Sequence, residues 1–413
     1  MHRFLVIAPA LLAALAAGAQ PESVAPGWRA VRVGEAGLEP PNSGTQQTSA
    51  TVFDIDGDRV NDFVITERTA APAVVGYLRK SAGWRRIVID AGRALVEAGA
   101  ACEDVDSDGD LDFVAGGDGR SNELWWWENP GAAAGYDKPW TRRTIKSSGP
   151  NKHHDLMFLD VDGDNIRELI FWNQGGRRLL LARRPARPRD ASPGGGGEWP
   201  METVFEYSSG SEMLQRGKPA AFRSVNEHEG LWAADIDLDG RQDIVGGGYW
   251  FRRTPQGRFI PNLVDASYHF SRSAAGQLTK GGRPEVVLAV GDGAGPLIWY
   301  EWVKGTWMPH ILAEVDNGHS LAVLDFDGDG NADIFLAEMR LNGGNPASRC
   351  SVFLGDGAGN FKETVLAAGF DNHESKAADL DGDGDLDILM KPYNHLTPSL
   401  NILINEGGPP RAR

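Results

Sequence analysis

The chain has 413 residues and a formal charge of −16, enough for two ordinary domains or one large repeat architecture. Two cysteines are too few for a disulfide framework. The acidic balance argues against nucleic acid as a partner, and beyond the first nineteen residues no apolar run is long enough to span a membrane.

Residues 1–19 read as a secretory leader. MHR is a short basic start, FLVIAPALLAALAA is the apolar run, and Ala17-Gly18-Ala19 is a small-residue cleavage site. The mature protein is expected to begin near Gln20 and to be periplasmic or extracellular. Cys102 and Cys350 fall in distant repeats and are expected to stay unpaired.

An acidic pattern then recurs along the chain: DIDGDRVND (54–62), DVDSDGDLD (104–112), DVDGDNIRE (160–168), DIDLDGRQD (235–243), DFDGDGNAD (325–333) and DLDGDGDLD (379–387). Fixed-period self-similarity marks a repeat architecture. Each copy has acids at relative positions 1, 3, 5 and 9. These are Asp54, Asp56, Asp58 and Asp62; Asp104, Asp106, Asp108 and Asp112; Asp160, Asp162, Asp164 and Glu168; Asp235, Asp237, Asp239 and Asp243; Asp325, Asp327, Asp329 and Asp333; and Asp379, Asp381, Asp383 and Asp387. A degenerate seventh copy, QLTKGGRPE (277–285), keeps only the last acid, Glu285.

Carboxylates at alternate positions of a tight loop converge on one point, and calcium takes six to eight oxygen ligands. About six structural Ca²⁺ ions are therefore expected. An EF-hand is excluded. Its loop needs a Glu at position 12, where these copies have Ile65, Ala115, Phe171, Gly246, Leu336 and Met390. Each loop runs instead into a β-type segment such as DFVIT, ELIFW or DIFLA. Loss of Arg3 with the leader and binding of six calcium ions would leave a net charge of about −5.

Each unit reads as four strands, the third rich in aromatics (ELWWWENPG, LIWYEW) and the fourth opening on one (WRRIVI, WTRRTI, WMPHIL). The last unit has no fourth strand, but WRAVRV (28–33) carries that pattern and has no unit of its own. Joining the two predicts an all-β, seven-bladed β-propeller with four-stranded blades, its ring closed by the N-terminal strand. It would span residues 20–408, with a disordered tail at 409–413. Residues 183–198 read as a flexible hairpin insertion and 206–228 as a long connection into blade 4.

The acidic loops, the strands after them and the GDGAGNF turn (355–361) resemble the FG-GAP/VCBS repeat family of β-propellers, to which the integrin α head belongs. The resemblance covers nearly the whole mature chain. It implies that side chains at positions 1, 3, 5 and 9 and a backbone carbonyl at position 7 hold calcium. In degenerate blade 5, Lys280 could supply the missing cation's charge. The WWWENPG and WYEW strands with histidine-headed first strands look like a sugar-active subgroup that includes the propeller of aldos-2-ulose dehydratase.

Histidines cluster just before the first strands: His153, His154, His228, His319 and His373. Counted back from the first acid of the next loop they stand at 7, 6, 7, 6 and 6. First strands are innermost in a propeller, so these histidines should meet around the axis, at the face opposite the calcium loops. Loops after the second strands should add Glu67, Arg68, Trp172, Asn173, Glu338, Arg340, Lys391, Tyr393 and His395. One axial divalent metal could sit on His319, His373 and Glu338. Arg340 and Lys391 could neutralise a substrate carboxylate, while Tyr393 and the histidines could move protons.

The reading that follows is a secreted, carbohydrate-active lyase or dehydratase, a carbon–oxygen lyase with its ligand on the axial face. Its competitor is a non-catalytic propeller that binds a glycan, through exposed tryptophans, or a protein.

Overall fold

The computed structural model describes residues 22–191, 197–207, 227–265, 267–268, 270–393 and 399–407. The expected leader at 1–19, the expected tail at 409–413, most of the 206–228 connection, His269 and His395 lie outside these residues. Seven antiparallel sheets are arranged in chain order, and each follows the expected four-strand unit. Blade 3 is typical, with strands His153–Leu159, Glu168–Asn173, Arg178–Ala182 and Met201–Glu206. Among the described residues no helix is long and apolar enough to cross a membrane.

The ring closes as the sequence requires. Trp28–Arg32 pairs with Asn401–Asn405 from Trp28↔Asn405 to Arg32↔Asn401, giving blade 7 its fourth strand. Val31 is buried there against Leu389 and Ile402. A second tie is visible only in the structure. Ser23–Val24 adds a fifth strand to the outer edge of blade 6, so the N-terminal segment fastens two neighbouring blades.

The core is divided among the interfaces. Among the described residues seven apolar clusters occur, and each draws on two adjacent blades. Strand alternation makes this possible, because successive side chains point to opposite faces. Trp125 and Trp127 pack toward blade 1, while Trp126 packs toward blade 3. Sheets buried on both faces need continuous apolar runs, which explains ELIFW and DFVIT. It also corrects the sugar-platform expectation: none of the described tryptophans is exposed. Cys102 and Cys350 are unpaired, in blades 2 and 6.

Each acidic loop is wound by its own backbone. In blade 1, Asp54 accepts N–H groups from Gly57, Asp58 and Arg59. The fourth and sixth loop residues are left-handed in every acidic copy, as at Gly163 (φ 84°) and Asn165 (φ 66°) in blade 3, which favours Gly or Asn there. The acid at position 9 is a buried clamp. Asp62 accepts from Ile55 N–H at 2.9 Å and Arg79 N–H at 2.6 Å. Glu285 of blade 5 accepts from Leu278 N–H at 2.8 Å in the same way. The degenerate loop therefore retains the acid of this buried clamp. Lys280 of that loop lies against Gly357 of blade 6.

Truncation of the chain through residue 33 should expose the Asn401–Asn405 edge and the apolar residues that Val31 covers. A melting temperature lowered by several degrees in a calorimetric scan is expected. An unchanged scan would refute closure as a source of stability.

Candidate functional site

The acidic loops lie at one end of the first strands, and the histidines lie at the other, about 20 Å away along a seven-residue strand. At the histidine end all seven blades contribute to one axial pocket of about 520 Å³. Its wall includes Arg68, Glu97, Lys152, His154, Glu227, Glu229, Phe270, Asp292, His319, His373 and Tyr393.

Strand alternation sorts the histidines. Those six residues before their loop, His154, His319 and His373, line the pocket. Those seven before, His153 and His228, are buried behind it. His153 Nδ1 lies 3.2 Å from the Gly117 carbonyl, and its ring packs on Phe171. His228 sits among Trp172, Tyr207 and Tyr249. Burial pushes both imidazoles down to about 3, so they are neutral packing groups. In blade 4 the pocket position passes to Glu229, the next residue.

A bulge doubles the supply of polar groups. Register shifts between His154 and Leu156, and Asp155 is left-handed at φ 43°. Both His154 and Asp155 then reach the axial network. Glu374, beside His373, is also left-handed, at φ 59°. Asp155 Oδ2 lies 2.7 Å from His154 Nδ1 and accepts the Gly230 N–H at 2.8 Å. Arg272 of blade 5 donates to Asp155 at 3.0 Å and pairs with Glu374 at 2.8 Å. Beyond them, His154 Nε2 stands 3.4 Å from Glu229 Oε1, and His319 Nε2 stands 3.6 Å from Glu229 Oε2.

These contacts set the charges. Burial alone would lower His154, but the Glu229 and Asp155 carboxylates carry it up to about 9. Burial raises Glu229 and Asp292. His319 and His373 are held well below the usual imidazole range, chiefly by burial. His373 is stacked between His319 and Tyr393, with ring centroids 4.1 and 4.4 Å away. The Tyr393 hydroxyl receives hydrogen bonds from Gln46 and Arg68, both at 2.7 Å.

Several expected roles change. Glu338 does not join His319 and His373; it binds the Arg349 guanidinium at 3.1 Å and the Arg349 N–H at 2.8 Å. Arg340 donates to the Gly369 carbonyl and lies outside the pocket wall. Lys391 is wholly buried and held well below its usual range by that burial. Its amine lies 2.6 Å from His373 Nδ1 and 3.1 Å from the Gln47 carbonyl, so it positions His373 rather than meeting a ligand. Glu67 is bound up with the Gln46 and Ala70 N–H groups. Trp172 donates to the Gly230 carbonyl, and Asn173 caps Gly176. Glu229, Asp292, Asp155, Arg272 and Glu374 were not anticipated. Offset parity would have found Glu229, which occupies the same offset as His154, His319 and His373.

A family model described as FG-GAP-like repeat matches residues 104–198 and 278–336. No curated protein matches. Among solved structures, the chain is similar to BBS1N, crystallised in complex with ARL6DN, at 9% identity, covering 94% of this chain and 98% of that one with a TM-score of 0.52. It is also similar to the V. cholerae biofilm matrix protein Bap1, at 10% identity over 90% of each chain with a TM-score of 0.47. At such identities the first likeness speaks to fold alone, and the second carries no argument. The chain thus carries FG-GAP-like repeats within a β-propeller of seven four-stranded blades.

Proposed function

We propose that the chain is a secreted, calcium-stabilised propeller that binds a neutral carbohydrate in its axial pocket and acts on it as a lyase or dehydratase. The observation that carries the reading is the convergence of all seven blades on one pocket walled by buried ionisable groups. Such groups gather where proton transfer is needed. Carboxylates of Glu97, Glu227, Glu229 and Asp292 face Arg68, Lys152 and His154. That wall offers donors and acceptors to hydroxyl groups and does not favour an acidic sugar. Phe270 and Tyr393 offer apolar faces to a ring. The leader-like segment 1–19 supports export.

In an elimination, a base removes the proton beside a carbonyl, the carbon–oxygen bond to the adjacent hydroxyl breaks, and an acid protonates the departing oxygen to give water. Asp292, whose carboxyl is raised by burial, suits the base. Tyr393, set against Arg68, suits the acid, and Lys391 holds His373 under the phenol ring. The purified protein should convert neutral 2-keto sugars or oligosaccharides to products with conjugated-enone absorbance. Asp292→Asn and Tyr393→Phe should each lower kcat by about 10²–10⁴-fold. Sugar binding without turnover would favour a binding propeller; no sugar binding at all would sink both the lyase and the glycan-binding readings.

Calcium suits the six acidic loops. One Oδ of each of Asp56, Asp106, Asp237 and Asp381 is buried with no hydrogen-bond donor. All four residues stand at loop position 3, so a cation would supply the partner that each lacks. Lys80 and Arg189 already lean on Asp56 and Asp106 as partial substitutes. Saturating calcium at one hundred times Kd would add about 2.7 kcal/mol per site. EDTA should therefore lower the melting temperature sharply, and no shift would exclude structural calcium.

Without calcium the stability should depend on pH. Burial raises Asp62 and Asp387 to about 7, above the usual value of about 3.9 for an unfolded chain. The folded protein then binds more protons than the unfolded chain between these limits. Their contribution is complete below about pH 4 and is lost as pH rises through about 7. In EDTA the melting temperature should fall over that interval, and saturating calcium should remove the slope. A calcium-independent slope would contradict the assignment.

A further inference from the structure

We propose that His154, Glu229 and His319 form a second metal centre, distinct from the acidic loops, for one divalent first-row transition ion such as zinc. Each residue is more than nine-tenths buried, and their ligand atoms lie within 4.8 Å of one another. The three come from blades 3, 4 and 6, so only the closed ring assembles them. Two imidazoles and a carboxylate suit a borderline cation of the zinc or iron type, whereas the all-oxygen loops suit calcium.

The spacing fits an ion better than it fits direct hydrogen bonds. His154 Nε2 to Glu229 Oε1 is 3.4 Å, and His319 Nε2 to Glu229 Oε2 is 3.6 Å. Zinc bonds of about 2.0–2.2 Å place neighbouring ligand atoms of a tetrahedral site about 3.4 Å apart. Glu229 Oε2 is buried with no hydrogen-bond partner. It lies 3.6 Å from His319 Nε2 and 3.6 Å from the Arg272 guanidinium, too far from either for a hydrogen bond, so a bound ion would supply the partner it lacks.

The surroundings are those of a prepared site. Asp155 receives the Nδ1 side of His154 at 2.7 Å, which leaves Nε2 directed at Glu229. A carboxylate behind a ligating histidine fixes its tautomer and ring orientation. Gln174 donates to Glu229 Oε1 at 3.1 Å, and Arg272 anchors Asp155 at 3.0 Å. All three proposed ligands line the open pocket, so a fourth coordination position would face the ligand cavity, as in catalytic rather than structural sites. This placement explains why Glu229, and not Glu338, is the carboxylate of the centre.

The test is Co²⁺ titration of the EDTA-stripped full mature chain in saturating calcium, read by the visible d–d absorption of low-symmetry cobalt. One Co²⁺ per chain is expected, displaced by Zn²⁺. Glu229→Gln and His319→Ala should abolish the band, and Asp155→Asn should weaken uptake about 10–100-fold. His310→Ala, on the outer strand of blade 5, should bind as wild type. X-ray absorption of the wild-type zinc form should show two imidazoles and a carboxylate, whether or not a variant folds. No uptake beyond the calcium sites, a band that survives both ligand substitutions, or an all-oxygen coordination shell would overturn the proposal. Uptake is read without any sugar, so its failure is separable from failure of the lyase reading.

Discussion

Everything in this molecule depends on closing a ring of sheets that cannot be stable singly. Each blade buries both faces, and each apolar cluster is shared between two neighbours. An unclosed ring would leave two such faces wet and two sheet edges unpaired. Trp28–Arg32 removes that end by completing blade 7, and Ser23–Val24 extends the tie to blade 6. Closure also forces the starts of the first strands together at the axis. Polar side chains there lose water, and they must satisfy one another.

The axial network is the result. Arg272 is surrounded by Asp155, Glu229 and Glu374, and His154 lies between two acids. Burying ions costs several kcal/mol each even after relaxation, and apolar replacements of similar volume are often as stable. Left-handed Asp155 and Glu374 add backbone cost. A scaffold needing only stability would gain little from this arrangement. The charged axis makes sense as a place where a ligand, a proton or an ion is handled.

The far face shows a different economy. There the ninth acid of each loop is a buried backbone clamp, while the acids at positions 1, 3 and 5 sit at the exposed turn, which the first of them also winds. Blade 5 separates the two duties. It has lost the acids at positions 1, 3 and 5, yet Glu285 still clamps Leu278 and Thr279. One motif thus carries a backbone-clamping acid, which every blade retains, and a set of converging carboxylates, which blade 5 does without.

The repeat, the blade count, the closing strand and the separation of loops from histidines were all legible in the amino-acid order, because turn chemistry and strand alternation act over a few residues. The geometry of the axial pocket was legible only in part. Offset parity distinguishes His154 from His153 and points to Glu229. The bulge at Asp155, the diversion of Glu338 to Arg349 and the neutral burial of Lys391 leave no such mark. The sequence by itself determined which residues make a blade and which end of a strand each motif occupies. Tertiary structure alone decided which side chains meet, since His154, Glu229, Arg272 and His319 belong to four different blades. Their encounter is set by packing around a closed axis, a long-range constraint that no local spacing encodes.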